Sequence, residues 1–230
     1  MTPSKKKPLA RFYPGNRILS VGSFGCNMAC PFCQNDAISF ADEVQWRYIP
    51  PEELAGMARQ LEPRGNIGVA YTYNEPMVGF EYMRDTARLV RDLGMKNVVV
   101  TNGAFTEETL LEVLPYIDAF NIDLKGFTQA WYSELGGDLE TVKRFIIRAA
   151  QRAHMELTTL IVPGKNEGEE EMRELSQWVA SSLSRGVPLH ITRFFPRRDY
   201  ADKSPTDIAL LRRLAAVAGE SLETVVVGNV

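Results

Sequence analysis

The chain is poor in the two residue types that build most metal centres. Its 230 residues hold 3 cysteines and 2 histidines. All three cysteines fall inside one stretch, CNMACPFCQN, at positions 26, 30 and 33. So close a triplet makes a poor disulfide framework and fits a reducing compartment, here taken as the cytoplasm. Charge of one sign is also missing. With 26 basic against 29 acidic residues the formal net charge is -3, which gives no electrostatic reason to expect nucleic acid as a partner. No apolar run is long enough to span a membrane. The opening MTPSKKKPLARFYPGN is basic but carries no apolar core, so it does not read as a secretion signal. Residues 1–16 read as a basic extension with the three lysines solvated, and 1–230 as a single domain. What is present is ordinary for a packed chain, 45% hydrophobic and 24% charged.

Strand-like and helix-like segments alternate. RILSVGS, NIGVAYTY, NVVVTNG, IDAFNIDLKG, MELTTLIVPG and PLHITRFF read as strands. Between and after them PPEELAGMARQLE, GFEYMRDTARLVRDLG, TEETLLEVL, LETVKRFIIRAAQRA, GEEEMRELSQWVASSLS and SPTDIALLRRLAAVAGE read as helices. In the last, Ser204 is the expected cap with Pro205 just inside. ETVVVGN is one more strand or a closing segment. Such alternation predicts parallel pairing. The expected fold is α/β, a partial (β/α)6 barrel, with a doubly wound open sheet as the alternative.

Polar residues gather at the carboxyl ends of these strands: Asn74 and Glu75, Thr101 and Asn102, Asp123 and Lys125, Thr158, and His190 with Arg193. The cysteine stretch follows the first strand. In parallel α/β folds the loops at these ends build the site, so the polar groups are expected to converge on the cysteines.

A structural zinc site is closed by four protein ligands, commonly as two pairs, and neither histidine is near the triplet in sequence. A cubane iron–sulfur cluster normally takes four thiolates. Three on one loop leave an iron open to an external ligand.

The C-x3-C-x2-C spacing, with Phe32 before the last cysteine, resembles the radical SAM superfamily. The resemblance implies a [4Fe-4S] cluster on Cys26, Cys30 and Cys33, with S-adenosyl-L-methionine chelating the open iron. It also implies reductive cleavage to a 5′-deoxyadenosyl radical that abstracts hydrogen. YTYNEP stands where the family carries Gly-Gly-Glu-Pro, with Tyr73 and Asn74 replacing the small residues and Glu75 kept. SFGCNMACPFCQN, YTYNEP, VTNG, NIDLKG, TTLIVPG and HITRFFP together resemble relatives of the pyruvate formate-lyase activating enzyme. The resemblance is greatest to the AmmeMemoRadiSam-system branch, of which this chain looks like a short form. By that likeness Thr101, Asp123 and Lys125 hold the methionine part of the cofactor and Phe32 meets adenine. Asn74, Asn102, Thr158, His190 and Arg193 are further candidates. Activating enzymes carry an acid where this chain has Val100. Their strand-five arginine corresponds to Thr158, for which Arg193 is the replacement. The implied partner is a protein such as a glycyl radical enzyme, with flavodoxin or ferredoxin as reductant. A small-molecule substrate, another protein residue, and a non-catalytic electron carrier are the alternatives.

Each candidate also has a plainer reading. Asn102-Gly103 makes a turn, and His190 a hydrogen-bonded strand residue. Tyr71 and Tyr73 pack inside a barrel, Glu169 to Glu171 form a solvated first turn, and Trp46 and Tyr48 pack at an edge or line an approach. Asp123 and Lys125, two apart, share a strand face.

Overall fold

The computed structural model describes residues 9–40 and 42–230. Its strands are β1 (Arg17–Val21), β2 (Asn66–Tyr71), β3 (Lys96–Thr101), β4 (Ala119–Asp123), β5 (His154–Ile161), β6 (Leu189–Arg193) and β7 (Val225–Gly228). All pair in parallel, in strict chain order, in one seven-stranded sheet. A doubly wound sheet reverses its order at a switch point. No reversal occurs here, which selects the partial barrel. β1 and β7 do not pair, so the barrel is open. ETVVVGN supplies a seventh strand beyond the six expected.

The helices are α1 (Asp36–Ser39), α2 (Pro51–Gln60), α3 (Phe80–Asp92), α4 (Glu107–Val113), α5 (Gln129–Glu134), α6 (Leu139–Ala150), α7 (Glu169–Ser182) and α8 (Ile208–Gly219). Side-chain caps start several of them. Thr106, Thr128 and Asp138 each accept from the amide three residues on. The sequence reading missed α1 and α5. It also misplaced the α8 cap. Asp207, not Ser204, accepts from the Ala209 and Leu210 amides. The reason lies one residue earlier. Thr206 is fully buried, its hydroxyl donating to Ile161 O and accepting from Phe194 N. That anchor keeps the chain non-helical past Pro205. No helix among the described residues is long and apolar enough to cross a membrane.

Period-two alternation sorts the strands into two faces. Val69, Val99, Phe120, Leu157 and Ile191 face the helices and join the main core. Part of the inner face is lined with short apolar residues: Ala70, Val98 and Ala119 lie side by side across three strands. Leu9 and Phe12 pack against that row. The extension expected over residues 1–16 is therefore no free tail from Leu9 onward. It stops the bottom of the barrel. The three lysines lie outside the described residues.

The Ala10 and Arg11 amides both donate to the Glu156 carboxylate, at 2.7 Å each. His154 and His190 meet the same carboxylate through their Nε2 atoms, at 3.0 and 2.6 Å. Glu156 is fully buried. Burial pushes its pKa up, but the two imidazoles and two amides outweigh burial and hold it well below the usual carboxylate range.

β2 carries one tight spot. A Cβ on Gly68 would stand 1.8 Å from Lys96 O on the neighbouring strand. Gly68→Ala is expected to cost about 3 kcal/mol, the upper end for overpacking. A urea midpoint equal to wild type would show that β2 and β3 can part without loss.

Candidate functional site

The carboxyl ends of β1 to β6 open on one cleft, and the cysteine segment closes one side of it. Cys26, Cys30, Cys33 and Phe32 line it. All three cysteines are free. Among the described residues no three His, Cys, Asp or Glu side chains gather into a single-ion site; the thiols spread along one wall. Burial raises the Cys26 thiol and pushes Cys30 up to about 11. A thiol held neutral in this way is stabilised as thiolate only by a positive partner, which a bound metal supplies.

Opposite the thiols stands Glu75, at the end of the loop after β2. It is 3% exposed and accepts from three neutral donors. Oε1 takes the Thr101 hydroxyl at 2.7 Å and the Met77 amide at 3.0 Å. Oε2 takes the Asn102 amide at 2.7 Å. Burial outweighs these bonds and lifts the carboxyl to about 7. Among the described residues this buried acid pairs with no cation; it faces the cleft, and it fits an ammonium group. Asn74 does not reach the cleft as a free amide. Its Nδ2 donates to Ser23 Oγ and Gly25 O while its Oδ1 accepts from Ser23 N. It thus locks β1's exit loop to β2's. Asn102 is bound on the same side, Nδ2 to Asn27 Oδ1 at 2.8 Å. The plain turn reading of Asn102-Gly103 holds as well: Asn102 Oδ1 accepts from Ala104 N.

Asp123 and Lys125 form the third wall. They pair at 2.7 Å with side-chain exposures of 34% and 15%. Burial works to lower the Lys125 pKa, but Asp123 and Cys30 outweigh it and raise it. A zwitterionic amino-acid head could exchange partners with such a pair, ammonium to Asp123 and carboxylate to Lys125. The backbone of Lys125 is fixed by α5 and its neighbours. Its amide donates to Tyr132 Oη at 3.0 Å, and its carbonyl accepts from Trp131 Nε1 and Asn166 Nδ2. Trp131 also stacks on Phe32, with ring centroids 5.8 Å apart. The missed helix thus ties the cysteine segment to the end of β4. The signal for it was Thr128 as a capping residue ahead of a buried Trp-Tyr pair.

Thr158 lines the cleft with its hydroxyl donating to Asn121 Oδ1. Two sequence candidates are not brought to the cleft. The inner face of β6 shows His190 and then Thr192, and Thr192 is the one that lines the cleft. His190 sits one step toward the amino end, bound to Glu156. Arg193 falls on the alternate face, its Nε donating to Thr206 O at 2.8 Å. The convergence expected of them is therefore corrected. Period two decides both cases, and it also marks Thr192 and Leu160, which the sequence reading passed over. Tyr73 is corrected too. It is 44% exposed at φ +78° on the cleft edge, while Tyr71 is buried. Glu171 leaves the solvated turn expected of it and accepts from Phe127 N.

A model of the Radical SAM superfamily matches residues 20–179. The chain belongs to that superfamily. This radical SAM chain is 38% identical over 232 residues to an uncharacterized protein of Methanocaldococcus jannaschii, covering 99% of this chain and 68% of that one. It is 24% identical over 197 residues to a 7-carboxy-7-deazaguanine synthase of Thermococcus kodakarensis, covering 77% and 74%. In fold it is similar to SuiB of Streptococcus suis, solved with S-adenosylmethionine, at TM-score 0.72 and 15% identity. That match covers 92% of this radical SAM chain and 51% of SuiB, so the chain spans about half of that structure's length. A domain of the pyruvate-formate lyase-activating enzyme from Bacteroides vulgatus matches at TM-score 0.60 and 19% identity, over 70% of this chain and 99% of that one. Membership in the superfamily supports an enzyme over an electron carrier.

Proposed function

We propose that this radical SAM enzyme holds a [4Fe-4S] cluster on Cys26, Cys30 and Cys33 and binds S-adenosyl-L-methionine beside it, to abstract hydrogen from a protein partner as glycyl radical activating enzymes do. The observation that carries the reading is the cleft itself. Three free thiols face Glu75 and the Asp123–Lys125 pair across it. When bound, the reduced cluster and its cofactor supply one-electron cleavage to a 5′-deoxyadenosyl radical. The chain's own part is to bind and orient. Glu75, already aimed by Thr101, Asn102 and Met77, accepts the cofactor's ammonium. Lys125 meets its carboxylate, Asp123 adds a second acceptor, and Phe32 and Thr158 border the remaining space.

A protein partner is supported by the unclosed sheet and by exposed aromatic side chains next to the cysteine segment and at the cleft edge. Phe24 and Trp46 are 50% and 65% exposed with rings 6.0 Å apart, and Tyr73 stands at the edge. A ferredoxin or flavodoxin is the class of reductant that fits. One observation favours a small substrate instead: the chain after β6 crosses to the cysteine segment, Gln34 Nε2 donating to Phe195 O, which narrows the entrance.

Anaerobic reconstitution with iron counting and EPR tests the cluster. About four irons per chain are expected for a cubane, and none in Cys30→Ala. A single zinc with no iron uptake would sink the reading. Reduced enzyme with S-adenosylmethionine and candidate partners should then give deoxyadenosine in proportion to partner and a partner-centred radical. Consumption of a metabolite with every protein silent would select the small-substrate reading.

A further inference from the structure

The loop from β6 to α8 fastens to the cysteine segment by several side-chain contacts, among them the Phe32 and Tyr200 rings with centroids 6.3 Å apart. Besides the Gln34–Phe195 bond, Arg197 donates through Nε and Nη2 to Asp36 Oδ1 at 2.9 and 2.7 Å. Arg198 reaches furthest in. Its Nη1 donates to the carbonyl oxygen of Cys30 at 2.8 Å, and its guanidinium lies 3.9 Å from the Phe40 ring centroid. The side chain is 26% exposed.

Two features separate Arg198 from an ordinary loop arginine. Its backbone has φ +51°, a left-handed conformation that is unfavourable for a residue with a Cβ. Glycine or asparagine would hold that turn with less strain. The second feature is the target. The guanidinium bonds to the peptide of the middle cysteine, the most buried of the three. A charge-assisted bond and a unit positive charge beside a cluster ligand favour the more negative, reduced state of the cluster.

Other charges nearby are mostly committed. Asp36 is taken by Arg197, and Asp123 by Lys125. The opposing charge left is Asp199, 3.5 Å from Arg198 Nε and 62% exposed, hence largely screened.

We infer that Arg198 tunes the cluster, raising its reduction potential through the Cys30 carbonyl, an inference that rests on the cluster assignment above. Arg198 touches no reacting atom and acts through the cysteine peptide.

The test is a redox titration of the reconstituted enzyme with dithionite and mediators, followed by EPR, after iron has been counted. Arg198→Gln should move the reduction equilibrium about tenfold toward the oxidised cluster, about 59 mV for one electron. Arg198→Lys keeps the charge and should move it less than a third as far. Asp199→Asn removes the countercharge and, at low ionic strength where that charge is least screened, should shift the potential the other way. A full cluster in Arg198→Gln at the wild-type potential overturns the inference and leaves a mechanical strap. So does Arg198→Lys shifting as far as Arg198→Gln. If Arg198→Gln takes up no iron, Asp199→Asn titrated at about 0.01 M ionic strength, where an exposed charge is least screened, decides: a positive shift supports the tuning role, and an unchanged or lower potential overturns it. Wild type that assembles no cluster overturns both this inference and the assignment beneath it, so the two failures are distinguishable.

Discussion

Lys125→Met is expected to weaken S-adenosylmethionine binding by about 2–5 kcal/mol, a factor of roughly thirty to a few thousand, while the cluster still assembles. The lysine is 15% exposed and paired at 2.7 Å, so its charge acts where water screens little. Its removal subtracts the contact to the ligand carboxylate and also strands Asp123 on the cleft wall, and both changes oppose binding. Asp123→Asn should lose less, because the amide still accepts a hydrogen bond. The double variant separates ligand contact from pair-breaking. If the pair acts only as local structure, Asp123→Asn with Lys125→Met recovers affinity toward wild type; if both touch the ligand, it does not. Equilibrium binding on iron-loaded protein reads this directly. Wild-type affinity in Lys125→Met would remove the pair from the cofactor site.

The largest expected effect on stability is at the other end of the barrel. Glu156→Ala deprives two imidazoles and the Ala10 and Arg11 amides of one shared acceptor. Breaking such a buried charged network costs about 3–5 kcal/mol. The same carboxylate gives a pH signature. Its folded pKa is depressed below the ordinary 4.5, so its stabilisation is present above that value. It is lost as pH falls through the folded pKa. Urea midpoints measured from pH 6 downward should fall below about pH 4.5 in wild type. Glu156→Gln should start lower and show a flatter acid slope. Equal slopes in the two proteins would show that this group does not carry the acid sensitivity.

The barrel was legible because its information is local. Strings such as NVVVTNG and helices with a clear apolar stripe announce themselves within a dozen residues. Strand order was not, because nothing in a single strand says which neighbour it pairs with. The gathering of the cysteines, Glu75, Thr101, Asp123 and Lys125 at one cleft was legible for the same reason: each stands at a strand's carboxyl end or in the loop after it. His190 and Arg193 misled because type alone says nothing about face or depth. One residue of register separates Arg193 from Thr192, and one step along the strand separates His190 from the cleft. Arg198 and the stacking of Trp131 on Phe32 were illegible because these partners, distant along the chain, are defined by tertiary approach. The N-terminal segment hid its role behind its lysines, since Leu9 and Phe12 are two apolar residues in a basic run.

Consecutive strand order has a consequence for how the molecule assembles. Every strand pairs with its chain neighbour, so most loops closed during folding are short, which favours fast and stepwise growth from one β/α unit to the next. Two links break that economy. The Ala10 and Arg11 amides meet Glu156 across 146 and 145 residues, and Arg198 meets Cys30 across 168. During synthesis, Leu9 and Phe12 emerge long before the Ala70, Val98 and Ala119 row they pack on, and before the β5 carboxylate that holds the Ala10 and Arg11 amides between them. They spend that interval as exposed apolar surface, open to chaperones or to another chain. Closure at both ends is therefore a late event. The cysteine segment, though made early, gains its last protein contact only after nearly nine-tenths of the chain exists, which leaves a period in which its thiols are reachable for metal loading.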